Sequence, residues 1–249
     1  MTDSLIRTET REKRTEKGTT YLLSSFFFSI ILTIVCQRTV KAQSLPPAKY
    51  DGFLYTNHRV DSDTLMIEAF FDPVCPDSRD AWPPLKQAIH HYGSRVSLIV
   101  HLLPLPYHDY AFSTSRAMHI VNLLNPSATF RLLESFFEYQ GRFYNAQTSN
   151  KSRDAVVDEI IKLAAETFGN SYYSAIESGF NDRKTDLKTR ISFKYSASRG
   201  VFGTPTFYIN GFAVPDSGSA IDYKQWRSFI DPLLLAQSRK RDNLPHLSL

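Results

Sequence analysis

A cysteine at a predicted helix start is the residue of this sequence with the clearest capacity for chemistry. Cys75 begins the segment Cys-Pro-Asp-Ser, which follows an apolar run that ends at Phe71. This order is typical of a buried strand that leads into a helix. A thiol attacks as its thiolate, and the free N–H groups and the dipole of a helix N-terminus stabilise an anion. We therefore predict that Cys75 is a nucleophile.

The three residues after Cys75 affect this thiol in different ways. Pro76 suits the first helical turn, because its missing N–H would have no intrahelical partner there. Asp77 favours the helix start but opposes the thiolate by like-charge repulsion. Ser78 lies one turn after Cys75, so its hydroxyl can face the sulfur and donate a hydrogen bond to it. The alternative interpretation is an ordinary helix start in which the cysteine fills a buried position.

A second segment, Gly-Thr-Pro-Thr at 203–206, begins another predicted strand. Pro205 at a strand start cannot donate to the sheet ladder. A cis Thr204–Pro205 bond would turn the Thr204 backbone toward the thiol, where it could pair with an extended peptide or glutathione. The alternative is a trans proline at the first residue of an edge strand. The strand ends at Asn210-Gly211, a pair that predicts a tight hairpin turn.

The elements that must position these residues come in the order strand, helix, strand, helical block, hairpin and helix. We predict strands at 65–71 and 96–103, with a helix at 78–91 between them. Helical periodicity continues from about 111 to 194. A strand–helix–strand unit implies a parallel strand pair with a right-handed crossover. The sequence therefore predicts an α/β fold, in which a mixed sheet is flanked by helices and the helical block packs over one end.

Several residues mark helix boundaries. Ser127 is predicted to start one helix, and Ser152 and Gly169 to start and end another. Asp222 is predicted to cap the last helix together with a glutamine three residues on. Pro232 is expected to kink or end that helix.

The first 42 residues have the pattern of a secretory signal: a basic region, an apolar run at 21–36 and a small residue at Ala42. The run is shorter than the roughly 20 residues that a membrane-spanning helix needs. An uncleaved anchor is the alternative. Cleavage after Ala42 would remove Cys36 and leave Cys75 without an internal disulfide partner. We expect a secreted protein or one of the endomembrane lumen, with no membrane contact unless this segment is retained.

Composition fits one domain at 43–237, with its helical insertion at about 108–198 and a polar tail at 238–249. The formal net charge is +4. Most of it belongs to residues 1–42, which contain seven Lys and Arg against four Asp and Glu. The remainder is nearly neutral, so we expect no nucleic-acid surface.

Two smaller features complete the set of candidate residues. Asn150 begins an Asn-Lys-Ser glycosylation sequon in a polar loop. His101, His108 and His119 lack the paired spacing of metal ligands. We expect these histidines to be structural and predict no metal site.

The two segments together resemble the DsbA-like branch of the thioredoxin superfamily. Residues 70–76 are similar to that family's strand-to-active-site segment, and 203–211 to its cis-proline strand. Pro83 stands where the active-site helix often has a kinking proline. The resemblance covers roughly 50–235, and it implies a thioredoxin-like fold with an inserted helical domain. It implies catalytic residues Cys75 and Ser78. It also implies substrate-binding residues at four positions: Pro76, Asp77, Thr204 and Pro205.

The sequence departs from this family at two positions. Ser78 replaces the second cysteine, which resolves the mixed disulfide in the usual dithiol cycle. Ala69 stands where the family often has a buried acid, while Glu68 lies one residue earlier and on the opposite strand face. Kappa-class glutathione transferases and their isomerase relatives also resemble this pattern. They usually place serine where Cys75 stands, so their chemistry is less favoured here.

The resemblance implies a monothiol oxidoreductase. In this hypothesis Cys75 forms mixed disulfides with glutathione or protein thiols, Ser78 stabilises the thiolate, and an external thiol such as glutathione releases the product. No bound cofactor is needed. The alternative is a non-catalytic binding module, in which the groove beside Pro205 holds a peptide and Cys75 is vestigial or tethers a partner.

Overall fold

A computed structural model describes residues 50–55, 64–215 and 218–242, all within one compact unit. The predicted signal segment 1–42 lies outside the described residues. The strands are β1 (Phe53–Leu54), β2 (Leu65–Phe71), β3 (Val96–Leu102), β4 (Thr206–Ile209) and β5 (Phe212–Ala213). The helices are α1 (Pro76–Tyr92), α2 (Ala111–Leu124), α3 (Thr129–Tyr139), α4 (Asn145–Thr148), α5 (Arg153–Phe168), α6 (Tyr173–Asn181), α7 (Arg183–Ser198) and α8 (Tyr223–Asp242).

The strands form one mixed sheet in the order β1-β3-β2-β4-β5. β2 and β3 are parallel, with Leu65 opposite Val96 and Phe71 opposite Leu102. β4 runs antiparallel to β2, and β5 to β4. This arrangement confirms the predicted fold class. The two-residue β1 was not predicted, because a strand of this length has no readable alternation and is defined by its pairing with β3.

Alternation along β2 sends its side chains to two different environments. Phe71 contacts Trp82 of α1 edge to face, with ring centroids 6.1 Å apart, and belongs to the main apolar core. Phe70 points to the other face, where its ring stacks on His101 at 4.7 Å and on Tyr195 of α7 at 6.4 Å. The sheet therefore separates α1 on one face from α7 on the other.

Helices α2 to α7 lie between β3 and β4, over the stretch of the predicted helical block. Ser152 caps α5 by accepting a hydrogen bond from Ala155 N, and Gly169 follows its last residue, as predicted. The prediction for Ser127 was wrong: it lies in a 3-10 turn, and α3 begins at Thr129. Asn125 caps that turn instead, because its side chain accepts from Ser127 N.

The C-terminal elements agree with the predictions from the sequence up to Pro232. The hairpin turn has positive φ at Asn210 (49°) and Gly211 (82°), as an Asn-Gly turn requires. Asp222 and Gln225 cap α8 reciprocally, with hydrogen bonds of 2.7 and 3.0 Å. Pro232, however, lies inside α8, which continues five residues past the predicted domain end at 237. Pro232 is exposed, so solvent can replace the hydrogen bond that its missing N–H costs the helix.

None of the helices described in this chain combines the length and the apolar character needed to cross a membrane.

Candidate functional site

Cys75 occupies the N-cap position of α1, with extended backbone dihedrals of φ −82° and ψ 123°. A short turn connects it to β2, closed by a hydrogen bond of 3.0 Å from Cys75 N to Asp72 O. Its thiol donates to the carbonyl oxygen of Thr204 at 3.4 Å. The Thr204–Pro205 peptide bond is cis. Two segments that are 129 residues apart in the sequence thus meet at the thiol.

The thiol lies among apolar side chains at the N-terminus of α1. Cys75 is 3% exposed and clusters with buried apolar residues, namely Phe70, Leu103, Leu105 and Val201. The first turn of α1 also presents N–H groups that lack intrahelical partners. Asp77 is exposed in that same turn, and Pro76 is half-buried at its first position.

Ser78 contacts the turn that precedes Cys75, and the hydrogen bond from its hydroxyl to the sulfur stays a prediction. Ser78 is fully buried, and its Oγ accepts a hydrogen bond from Asp72 N at 3.3 Å. β2 ends at Phe71, so the buried Asp72 N–H needs an acceptor outside the sheet. Ser78 supplies it, and it therefore supports the active-site turn.

The carboxylate of Asp72 ties the turn to the segment after β3. It is fully buried. Oδ1 accepts from Val74 N at 3.0 Å, and Oδ2 accepts from Leu105 N at 3.1 Å. Oδ2 also lies 2.8 Å from Nδ1 of His108. One carboxylate therefore fixes both the approach to Cys75 and the orientation of an imidazole.

Gln140, in the 3-10 turn after α3, connects the helical block to the active-site turn. It is 1% exposed, and its Nε2 donates to Pro73 O at 3.3 Å and to Cys75 O at 3.2 Å. Its Oε1 accepts from the hydroxyl of Tyr144 at 2.6 Å. The backbone on both sides of Val74 is thus held by one side chain from another part of the fold.

Two exposed aromatic side chains lie on segments that reach the apolar cluster around the thiol. Tyr107, two residues after Leu105, is 61% exposed. Burial, followed by negative charge at Cys75 and Asp72, raises the pKa of Tyr107. Phe202, next to Val201, is 93% exposed.

The substrate-binding prediction at Thr204 and Pro205 falls on the segment that contacts the thiol. Thr204 is 6% exposed, and its Oγ1 is buried with no hydrogen-bond partner in the described part of the chain. Its carbonyl oxygen is the acceptor for Cys75.

Asn150 is distant in the sequence from these contacts and lies exposed in the turn between α4 and α5. Its glycosylation stays a prediction.

A separate group of buried charges lies on the α7 side of the sheet. Glu68 is 3% exposed. Burial alone would raise the pKa of Glu68, but the nearby His101 imidazole, the hydrogen bond from Tyr50 and the charge of Arg199 lower it to about 2. Burial lowers the pKa of His101, while Asp51 and Glu68 together raise it above its ordinary value.

Among the described residues, no group of acids, histidines and cysteines is arranged to hold a metal ion.

Sequence reasoning missed three residues that define the site: Asp72, His108 and Gln140. Asp72 offered a signal, since a carboxylate directly after a buried strand and three residues before a candidate nucleophile must find buried partners. His108 and Gln140 offered none, because their roles depend on contacts 36 and 65 residues away along the chain.

Comparison with known proteins places this geometry in a family. The model of the family described as Thioredoxin matches residues 61–232. No curated protein matches the chain.

Among solved structures, a Pseudomonas syringae protein proposed to be a protein-disulfide isomerase is similar, with a TM-score of 0.60 and 20% identity. That match covers 72% of this chain and 98% of the other. DsbA2 from Pseudomonas aeruginosa matches with a TM-score of 0.52, 20% identity and coverage of 77% and 97%. A periplasmic thioredoxin-like protein from Salmonella enterica serovar Typhimurium matches with a TM-score of 0.52 and 18% identity. That match covers 74% of this chain and 90% of the other. With a thiol at the start of α1, a cis-proline segment against it and a helical block between them, the chain belongs to the thioredoxin family and shares its fold with DsbA-type proteins.

Proposed function

We propose that this protein is a monothiol thiol–disulfide oxidoreductase of the secretory pathway. Cys75 attacks a disulfide and forms a mixed disulfide with glutathione or with a protein thiol. An external thiol, with glutathione as the candidate, then releases the product. The observation that carries this proposal is the position of the thiol at the start of α1, with its Sγ 3.4 Å from the Thr204 carbonyl oxygen.

Three features support the proposal. The position one helical turn after Cys75 is Ser78, so the described site has no second thiol to close an internal disulfide. Thr204 offers a buried, unpartnered hydroxyl beside the thiol. The similar proteins are named for DsbA, for disulfide isomerase activity and for the periplasm, which is consistent with export through the predicted signal at 1–42.

The proposal is tested by the reaction of the full chain with glutathione disulfide. The Cys36→Ser variant leaves Cys75 as the only cysteine. We expect intact-mass measurement to show one glutathionyl group, and added glutathione to remove it. The matched control is Cys36→Ser with Cys75→Ser, which should gain no mass. A Cys75 thiol that reacts no faster than free cysteine would contradict an enzymatic role.

A binding module is the second candidate, and one observation favours it. Cys75 is 3% exposed, so an incoming disulfide must reach a thiol that is closed off in the free protein. In that case the exposed Phe202 and the Thr204–Pro205 segment bind an extended peptide without chemistry. Peptide binding that is unchanged in Cys75→Ser, combined with a slow thiol, would favour the module.

A further inference from the structure

Asp72 and His108 form a hydrogen-bonded pair beside the thiol that the exchange reaction described above does not use. Asp72 is fully buried, and its Oδ2 lies 2.8 Å from His108 Nδ1. An ionised carboxylate can only accept hydrogen bonds, so Nδ1 must carry the hydrogen. The Nε2 atom of a neutral ring is then a free acceptor. The other bonds of Asp72, to Val74 N and Leu105 N, fix the carboxylate and hence the imidazole plane.

His108 lies beside the turn that leads to Cys75, because its partner Asp72 also accepts a hydrogen bond from Val74 N. It lines a cavity of about 180 Å³ together with Val74 and Pro76, the two residues that flank Cys75 in the sequence. It also lines a larger cavity of about 650 Å³ with Leu105, which belongs to the apolar cluster around the thiol. The His108 side chain is 21% exposed, so a substrate can contact it.

We propose that His108 is the general acid–base residue of disulfide exchange at Cys75, and that Asp72 is its positioning residue. This inference rests on the proposed function. The Cys75 thiol gives its proton to His108 Nε2, and the thiolate attacks one sulfur of the substrate disulfide. The Cys75–sulfur bond forms as the substrate S–S bond breaks. The electron pair goes to the leaving sulfur, which takes the proton back from Nε2 and departs as a thiol.

A proton carrier would speed the release of an alkyl thiol, because an alkyl thiolate is a strong base and a poor leaving group. An ordinary thiol has a pKa of about 8.5, so an alkyl thiolate released near neutral pH must gain a proton. The Ser78 hydroxyl does not ionise near neutral pH, and Ala69 has no ionisable group. Histidine is the side chain best suited to accept and return a proton near neutral pH.

The leaving group provides a test that a purely structural role of His108 would not affect. An aromatic thiolate from a dithiobis-nitrobenzoate reagent leaves readily without a proton, whereas glutathione thiolate is a poorer leaving group that a proton donor helps more. In the full chain carrying Cys36→Ser, His108→Gln should slow the reaction of Cys75 with glutathione disulfide on the order of a hundred-fold. The reaction with the aromatic disulfide should slow much less, because there His108 acts only as the acceptor of the Cys75 proton. Asp72→Asn should show the same selectivity, because an amide group would reverse the roles of the two ring nitrogens.

His91→Gln is the matched control, since His91 is exposed at the opposite end of α1. It should leave both rates unchanged. Imidazole added to His108→Ala should restore a larger part of the rate with glutathione disulfide than with the aromatic disulfide, which also guards against a folding defect in His108→Gln. Equal slowing with both disulfides, or no slowing with glutathione disulfide, would overturn the role of His108. A parent protein that reacts with neither disulfide would instead overturn the proposed oxidoreductase function.

Discussion

The side chain at position 78 decides how the thiol at position 75 can be regenerated. Ser78 is the third residue of α1, one turn after the N-cap Cys75. Side chains at this spacing have Cβ atoms about 5–6 Å apart, and a disulfide needs about 3.5–4.5 Å. A small movement at the helix start would therefore join two thiols.

We predict that Ser78→Cys, in a Cys36→Ser background, forms an internal disulfide with Cys75. The glutathione adduct of Cys75 should then fail to accumulate, because the new thiol displaces glutathione. Intact mass would show the loss of two hydrogens in place of the adduct. Ser78→Ala is the control and should keep the adduct. A stable glutathione adduct in Ser78→Cys would show that the side chain at position 78 does not reach the sulfur.

Residue-level predictions from the sequence succeeded where the contact is local. The placement of Cys75 at the helix start and the capping by Ser152 and Asp222 each involve residues within one turn of each other. The hydrogen bond that Ser78 Oγ accepts was not predicted, because Asp72 N is left without a sheet partner by the end of β2, and the sequence does not locate a strand end to a single hydrogen bond.

At the scale of elements, the site is assembled where the helical block meets the β2–α1 turn. Gln140 donates to carbonyl oxygens of Pro73 and Cys75 from the turn after α3. Gln140 and Thr204, which belong to two different segments of the chain, therefore both contact Cys75. The sequence predicted the helical block but gave no indication that it would supply this side chain.

We predict that Gln140→Leu lowers the free energy of unfolding by about 1–3 kcal/mol, because buried polar groups lose their partner. Urea denaturation would measure this change. The reaction of Cys75 with glutathione disulfide should also become slower, since the turn is less well held. Gln147→Leu, at an exposed position nearby, is the matched control and should stay within about 0.5 kcal/mol of the parent. Equal stability of Gln140→Leu and the parent would show that these hydrogen bonds do not hold the turn.

At the scale of the whole molecule, a buried charged group on β2 connects segments that are far apart in the sequence. Glu68 of β2 accepts hydrogen bonds from Tyr195 of α7 at 3.0 Å and from Tyr50 at 2.9 Å. Arg199 contacts its other oxygen at 3.1 Å. His101 Nε2 lies 3.5 Å away, an ionic contact at the limit of hydrogen bonding. The sequence placed Glu68 on the correct strand face but could not name these partners, which come from distant segments.

We predict that this cluster makes the free energy of unfolding depend on pH in the acid range. The pKa of Glu68 is lowered to about 2 against burial, chiefly by its hydrogen bonds and by Arg199. The unfolded chain therefore binds the Glu68 proton at higher pH than the folded protein does. The stabilisation is present above about pH 4.5, the ordinary value for this group, and is lost as pH falls toward about 2.

Urea denaturation of the parent and of Glu68→Gln at several pH values would measure this contribution. The difference in unfolding free energy between them should be largest above about pH 4.5 and shrink as the pH approaches 2. Glu166→Gln, on the exposed side of α5, is the control and should show a small difference at every pH. A difference for Glu68→Gln that is constant with pH would contradict the ionised, hydrogen-bonded state of Glu68.

The hydroxyl at position 78 has a consequence for how long a captured partner stays attached. A site with two thiols sets its own release time, because the second sulfur acts inside the same molecule. The described site offers one sulfur, Cys75, so under the proposed function a partner bound through it leaves only when a thiol arrives from solution. The lifetime of the attachment is then set by the concentration of reduced thiols outside the protein. In a compartment with few reduced thiols, the partner would stay covalently bound to Cys75 for a long time. In a compartment with many reduced thiols, the partner would be released quickly, with no change in the structure of the protein.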